Sequence, residues 1–419
     1  MGPGKQRDAR SGASLESSIL TTATLCLLTT GAIMVYSASS AESLLNGSGD
    51  PSYYLKRYGA LAILGLIAMR FASRVPLKAI RDATPLLLAA GFGLTLALMV
   101  PGVGVTVNGA TRWLGAGPLQ FQPSEVLKIA LVLYAVRVLA QRPSRVRSLG
   151  GLIKPLGLVV GAAFLLLLKQ PDMGTALVIC AAIGALLVAA GTPMRLLGVI
   201  GGAGAALVTV FAVVEPYRRE RLTAFLDPWS DAGDTGFQAV QAMIAIGSGG
   251  LFGVGLGESV QKIFYLPEAH TDMILAIIGE ELGIAGIVGV ATLYAMIGFA
   301  GLRAARLAPD LYAKLLAAGL TCLVLCQAAL NFFAVMGLAP LTGVPLPFIS
   351  YGNSNLVVLL AGMGLLLNVA SGGSLGARAA ERPPLRAISG GRRGESGDRG
   401  RGHGGSRGAG PGRRRRAAS

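Results

Sequence analysis

Apolar residues in this chain arrive in long blocks, and ten of them have the length a helix needs to cross a hydrocarbon layer, about 20 residues for roughly 30 Å. They run approximately Ser18 to Ser39, Leu55 to Ala72, Ala83 to Val100, Val126 to Ala140, Leu152 to Leu168, Met173 to Ala190, Leu196 to Val214, Asp272 to Ala300, Leu315 to Val335 and Val344 to Val369. In lipid the backbone must satisfy its own hydrogen bonds, so such blocks are helices. Only 14% of the 419 residues are charged and 53% are hydrophobic, far from the balance of a soluble domain, where about 25% are charged. The expected fold is therefore all-α, a polytopic membrane protein of about ten transmembrane helices. The second and fourth blocks are short, which leaves nine or eleven crossings open. The first block lacks a small-residue cleavage site and reads as a retained helix.

Positive charge resists translocation. With residues 1–17 inside, alternate connections on that side hold Arg70, Arg74, Lys78 and Arg81; then Arg137, Arg142, Arg145, Arg147 and Lys154; then Arg195; then Arg303, Arg306 and Lys314. An even span count also puts the Arg-rich tail, residues 371–419, inside, and most of the 37 Lys and Arg residues then share one side. The expected topology is N-in and C-in, with the +16 net charge mainly cytoplasmic. The Gly, Arg and Ser composition of the tail predicts disorder. It suits either attraction to anionic lipid or a dispensable extension, and without stacking aromatics it implies no specific nucleic-acid partner. Cys26, Cys180, Cys322 and Cys326 all lie inside apolar blocks, so neither a loop disulfide nor a zinc site with ligand spacing is expected.

On this topology three connections outside are long, at about 41–54, 101–125 and 215–271, the last between helices 7 and 8. Loops of such length usually bind or catalyse. The second contains Arg112 and Trp113 and ends in Gln122-Pro123-Ser124-Glu125, with Lys128 a turn further on. An interfacial Trp and a surface ion pair would explain these residues, but Lys128 falls inside the apolar zone, where an ionisable side chain marks a functional site by default. The third ends in Pro267-Glu268-Ala269-His270-Thr271-Asp272, followed within the eighth block by Glu280 and Glu281. Helix capping would account for Asp272 alone. It would not account for Glu280 and Glu281 two to three turns deeper. On a continuous helix Asp272, Ala276, Gly279, Glu280, Gly283 and Gly286 share a face narrow enough for a close neighbour. The Gly-rich run from Gly236 to Ser259 fits no phosphate-loop spacing, so its glycines are expected to serve close backbone packing. Its Phe237-to-Ile246 segment is expected to lie along the interface.

Together these motifs resemble the SEDS family of FtsW, RodA and SpoVE, with Gln170-Pro171-Asp172-Met173-Gly174-Thr175, Gly279-Glu280-Glu281-Leu282-Gly283 and Pro345-Leu346-Pro347-Phe348-Ile349-Ser350-Tyr351-Gly352 adding to the likeness from about residue 18 to 370. The Gly279-to-Gly283 run is closer to FtsW than to RodA. The resemblance implies a ten-helix glycosyltransferase that polymerises lipid II into peptidoglycan strands at the outer face of the cytoplasmic membrane, in cell division. It implies a class B penicillin-binding protein as transpeptidase partner, among other divisome or elongasome membrane proteins. Carried over by motif, Asp272 is the essential carboxylate, Trp113 is the important residue of its loop, and Gln122, Ser124, Glu125, His270 and Ser350 are substrate-binding. The chain departs from the family pattern at Asn353 and Asn355, where a Gly and a Ser are usual.

The chemistry needs a base for a sugar hydroxyl and a counter-charge for a departing diphosphate. Asp272 can be the base, with Glu280 the alternative; Arg112, Lys128 or Lys262 can take the leaving charge, or a divalent cation such as Mg or Mn. No tightly bound cofactor is expected, and Lys128 near Asp272 would keep that carboxylate ionised. Two other classes compete. A lipid II flippase should show ionisable residues or broken helices near the bilayer midplane, and a non-catalytic divisome scaffold would need none of Trp113, Lys128 and Asp272.

Overall fold

The structure, a computed structural model, describes residues 3–45, 49–107, 110–116, 119–214, 219, 223–263 and 265–373. The tail beyond residue 373, with its expected disorder, lies outside them. Each apolar block has become a helix: α1 Pro3–Leu45, α2 Tyr53–Ala72, α3 Leu77–Ala97, α4 Pro123–Gln141, α5 Leu149–Lys169, α6 Met173–Ala189 and α7 Met194–Val214. After the amphipathic α8, Phe237–Gly249, come α9 Ile274–Leu307, α10 Leu311–Val335 and α11 Asn355–Ala370. Five of them, including α1, α9 and α10, are long and apolar enough to span a bilayer, and α6, the Met194–Thr209 part of α7, and α11 are shorter apolar helices. The chain is a multi-pass membrane protein.

Local chemistry sets the boundaries. Pro76 closes the turn before α3 and Pro123 occupies the first turn of α4, where its missing N–H costs nothing. Asp172 caps α6 by accepting from Thr175 N, and Asp310 caps α10 by accepting from Ala313 N. α10 is the hub of the bundle. It packs against α4, α6, α9 and α11, and its side chains supply much of the buried core.

Three departures from the sequence reading position the site. The connection after α3 is not plain loop: it folds into a three-stranded antiparallel sheet, β1 Gly104–Val107, β2 Ala110–Ala116 and β3 Leu119–Phe121. The expected tenth span does not start at Val344, because Gly343, Pro345, Pro347 and Gly352 keep 344–354 out of a helix, and α11 begins only at Asn355. That loop runs into the bundle. Tyr58 of α2 and Tyr294 of α9 donate to the Phe348 and Pro347 carbonyls, and a side chain at Gly31 of α1 would collide with Ile349 backbone.

The third departure is in α9. Its helix is broken at Gly283, with φ 68° and ψ −165°, in the first third of the element. The freed backbone groups are met by the Gly-rich segment: Val254 N and Gly255 N donate to the Glu280 and Glu281 carbonyls, while Ile284 N and Ala285 N donate to those of Gly250 and Leu251. A Cβ on Gly249 would stand 1.9 Å from Gly279 O, and one on Gly253 2.1 Å from Glu281 O. Close backbone approach is thus what these glycines provide, and α8 lies packed along α9.

Candidate active site

The sheet after α3 brings Arg112 and Trp113, on β2, over the start of α4 and the turn between α5 and α6. Arg112 donates from Nε to Gln170 O at 3.1 Å and from Nη2 to Pro171 O. That turn presents Asp172, only 5% exposed, which accepts from Ser124 Oγ at 2.9 Å and Gln122 Nε2 at 3.2 Å in addition to capping α6. Gln122 N in turn donates to Ser354 Oγ at 2.7 Å, tying the start of α4 to the start of α11.

One turn into α4, Lys128 is buried, 1% exposed. Its Nζ pairs with Glu125 at 2.7 Å and donates to Gln327 Oε1 at 2.7 Å and Asn355 Oδ1 at 3.3 Å. Three acceptors match the three N–H groups of the ammonium, which is how a charge survives out of water. Lys128 and Glu125 sit in the wall of a cavity of about 80 Å³, together with Arg112, Trp113, Gln122, Asp172 and the Gly343–Pro345 loop. Gly343 also faces Asp272: a Cβ on it would stand 3.9 Å from Asp272 Oδ2. Asp272 lies in the turn before α9, half-buried, with Thr271 Oγ1 donating to it at 3.1 Å. Two cations and Trp113 thus line one polar cavity, and Gly343 of its wall faces the Asp272 carboxylate.

The other expected residues lie elsewhere. Glu280 accepts from Ser259 Oγ and from Val260 N at 3.0 Å. Glu281 accepts from Ser37 Oγ at 2.6 Å and pairs with Lys262 Nζ at 2.8 Å, which also donates to Gly257 O. These contacts fix the Gly-rich segment to α1 and to the broken α9. Glu280 and Asp272 do not share a helical face, since Asp272 precedes the helix. His270, 6% exposed, stands 3.4 Å from Glu42 and stacks against Tyr54 at 4.3 Å between ring centres. Ser350 accepts from Leu346 N, closing the loop before α11. Among the described residues no group of three His, Cys, Asp or Glu side chains stands close enough to hold a metal ion. The four cysteines are free thiols.

The family model described as "Cell cycle protein", of FtsW, RodA and SpoVE, matches residues 18–374. The chain belongs to this family. A protein named probable peptidoglycan glycosyltransferase FtsW, from Thioalkalivibrio sulfidiphilus, is 45% identical over 89% of this chain and 93% of its own length. Stage V sporulation protein E of Bacillus subtilis is 40% identical over 84% of this chain and 96% of its own. Among solved structures, a peptidoglycan synthase complex that coordinates polymerization and crosslinking contains a chain matching with TM-score 0.69 and 28% identity, over 87% of this chain and 98% of that one. The rod shape determining protein RodA of Thermus thermophilus matches with TM-score 0.59 and 27% identity, over 84% and 95%. The family resemblance read from Arg112 to Gly352 is thereby established, and the FtsW leaning of the Gly279-to-Gly283 run agrees with the relatives' names.

Four residues at this family site escaped the sequence reading in any role of their own: Asp172, Gln327, Asn331 and Asn355. The signal for Gln327 and Asn331 was present, as two amides one turn apart inside an apolar block, where polar side chains mark function or partners. Asn355, read as a departure from the family pattern, is a direct partner of Lys128.

Proposed function

We propose that this protein is a peptidoglycan glycosyltransferase that polymerises lipid II at the outer face of the cytoplasmic membrane, with Asp272 as general base. The observation that carries the reading is the polar cavity that Lys128, Arg112 and Trp113 line and whose Gly343 faces Asp272. Asp272 takes the proton of an acceptor sugar hydroxyl as its oxygen bonds to the donor's anomeric carbon. The bond from that carbon to the diphosphate oxygen breaks, and the diphosphate leaves with the electron pair. Arg112 and Lys128 oppose the charge that develops there. Toward the described residues Arg112 uses two of its five N–H donors, on the Gln170 and Pro171 carbonyls, which leaves donors for phosphate oxygens. Ser124 and Gln122 act through Asp172, and His270 acts on the same loop as Asp272.

Ten crossings with both termini inside put the sheet, α8 and Asp272 on the outer side, as the Lys and Arg distribution demands. Cysteine labelling tests it: single cysteines at Ser144 and Arg306 should stay unlabelled from outside intact cells while one at Asp231 is labelled, and the reverse pattern removes the placement. The transpeptidase partner is a class B penicillin-binding protein, in keeping with the crosslinking partner of the matching synthase complex. A flippase would make use of a broken helix, but here the break in α9 is filled by backbone from the Gly-rich segment and its carboxylates are sealed by partners.

The activity test is incubation of the purified protein, alone and with its cognate penicillin-binding protein, with labelled lipid II. A ladder of glycan strands is expected. Lipid II left unpolymerised by both preparations would return the protein to the transporter class.

A further inference from the structure

α10 is the most enclosed of the long apolar helices, yet Gln327 and Asn331 lie one turn apart on it, 0% and 2% exposed. A buried amide costs about 1–3 kcal/mol for each group left without a partner, so the partners reveal what such residues do. Asn331 Nδ2 donates to the Asp272 carbonyl at 2.7 Å and to the Val344 carbonyl at 2.9 Å. Gln327 Nε2 donates to the Pro345 carbonyl at 2.9 Å and to Asn355 Oδ1 at 3.2 Å, while its Oε1 accepts from Lys128 Nζ at 2.7 Å.

Of these contacts, those to Val344, Pro345 and Lys128 reach the wall of the polar cavity, and the one to Asp272 reaches the turn that Gly343 faces. One amide holds the residue read as the base, the other holds the buried lysine, and both hold the Gly343–Pro345 loop between them. That loop needs holding from outside. Pro340, Pro345 and Pro347 have no N–H, and Gly343 sits at φ +69°. The turn carrying Asp272 leads into α9, and α9 and α4 both pack against α10, so α10 is the element through which that turn and Lys128 are held in common.

We propose that Gln327 and Asn331 are positioning residues for polymerisation: as a two-pronged staple from the most enclosed of the long apolar helices, they set where the Asp272 turn and the 343–345 loop stand relative to Lys128. The proposal rests on Asp272 as the base. Misplacing a reacting group by about 1 Å can cost on the order of 100-fold in rate, so removal of either prong should lower kcat far more than it raises KM.

The test is steady-state polymerisation of labelled lipid II by Asn331→Ala and Gln327→Met, with hydrogen–deuterium exchange of the same detergent-solubilised proteins. Each variant should lose about 10- to 100-fold in kcat with KM within about threefold. Deuterium uptake should rise in peptides covering 336–354 and 268–273, with α11 and the first half of α10 as protected as in the wild type. Wild-type kcat in both variants overturns the proposal, as does a lowered kcat with unchanged uptake in those peptides. Loss of protection throughout α10 and α11 in both variants makes the amides mere core supports and overturns it too. Asp272→Asn retaining full activity would instead remove the base assignment and leave the exchange result standing, so the two failures are distinguishable.

Discussion

Two buried networks in this protein are built from the same materials, a lysine, a glutamate and short polar side chains, and they are put to different ends. In one, Lys262 and Glu281 are closed off with Ser37 and the Gly257 carbonyl, beside Glu280 capped by Ser259 and Val260. In the other, Lys128 and Glu125, with Gln327 and Asn355 as partners of the lysine, stand in the wall of a cavity that Arg112, Trp113 and Asp172 also line. The first network clamps a helix break shut. The second borders open space and a half-buried carboxylate. An ionisable residue within a membrane helix therefore does not by itself mark the catalyst: what separates lock from site is whether the charges face each other alone or face room for a substrate.

Paired neutralisation breaks or sharpens that contrast, because replacing both partners of a buried ion pair by neutral side chains is often tolerated while removing one is not. The largest effect is expected for Lys128→Met with Glu125→Gln: a protein that folds and binds its partner, yet polymerises lipid II about 100-fold more slowly, the order of loss seen when one charge-stabilising group is removed. The same double change at Lys262 and Glu281 should leave the rate per folded molecule within about threefold, while Lys262→Met alone should cost about 3–5 kcal/mol of stability by stranding Glu281. Thermal unfolding in detergent, read beside the polymerisation rate, checks both. If the Lys262 pair controls rate and the Lys128 pair controls only stability, the assignment of the two networks is inverted.

Smaller effects follow. Asn355→Ser, which restores the residue usual in the family, removes one acceptor from Lys128 and should change turnover by no more than about tenfold, in keeping with a long, 3.3 Å bond at the weak end, about 1.5 kcal/mol, of hydrogen bonds to charged groups. Deletion of the tail after Gly376 should leave polymerisation by the purified protein unchanged, since a segment of that composition cannot pack against an apolar core.

What was legible in the sequence, and what was not, divides along the same line. Each apolar block contains a helix, because hydropathy acts locally and lipid leaves the backbone no alternative, although the last block turns helical only at Asn355. Pro123 suits the first turn of α4 for an equally local reason. The break at Gly283 was hidden, because Leu282, Ile284 and Ala285 continue the apolar run and the non-helical backbone is imposed by residues 250–255 from another segment. Glu280 was read as a candidate base because its cost was visible and its partners were not: Ser259 and Val260 belong to a loop whose fold no spacing rule predicts. The sheet bearing Arg112 was missed since its strands are three to seven residues long and pair only once the whole connection has folded. Asp272, by contrast, was singled out by its motif alone, and the structure adds the Gly343 loop and the Asn331 amide beside it.

The most direct test of the account is the single-turnover rate of glycosidic bond formation by Asp272→Asn and Glu280→Gln, measured side by side on preparations whose folded fraction is known. The amide in place of Asp272 keeps the shape and loses the basicity, so its rate should fall about 100- to 10,000-fold with lipid II binding and thermal stability retained. Glu280→Gln should lose stability instead and keep its rate within about tenfold per folded molecule, since the two donors at Ser259 and Val260 lose only a stronger acceptor. Wild-type bond formation by Asp272→Asn, with the loss falling on Glu280→Gln, would contradict the account and move the base into the network described here as a lock.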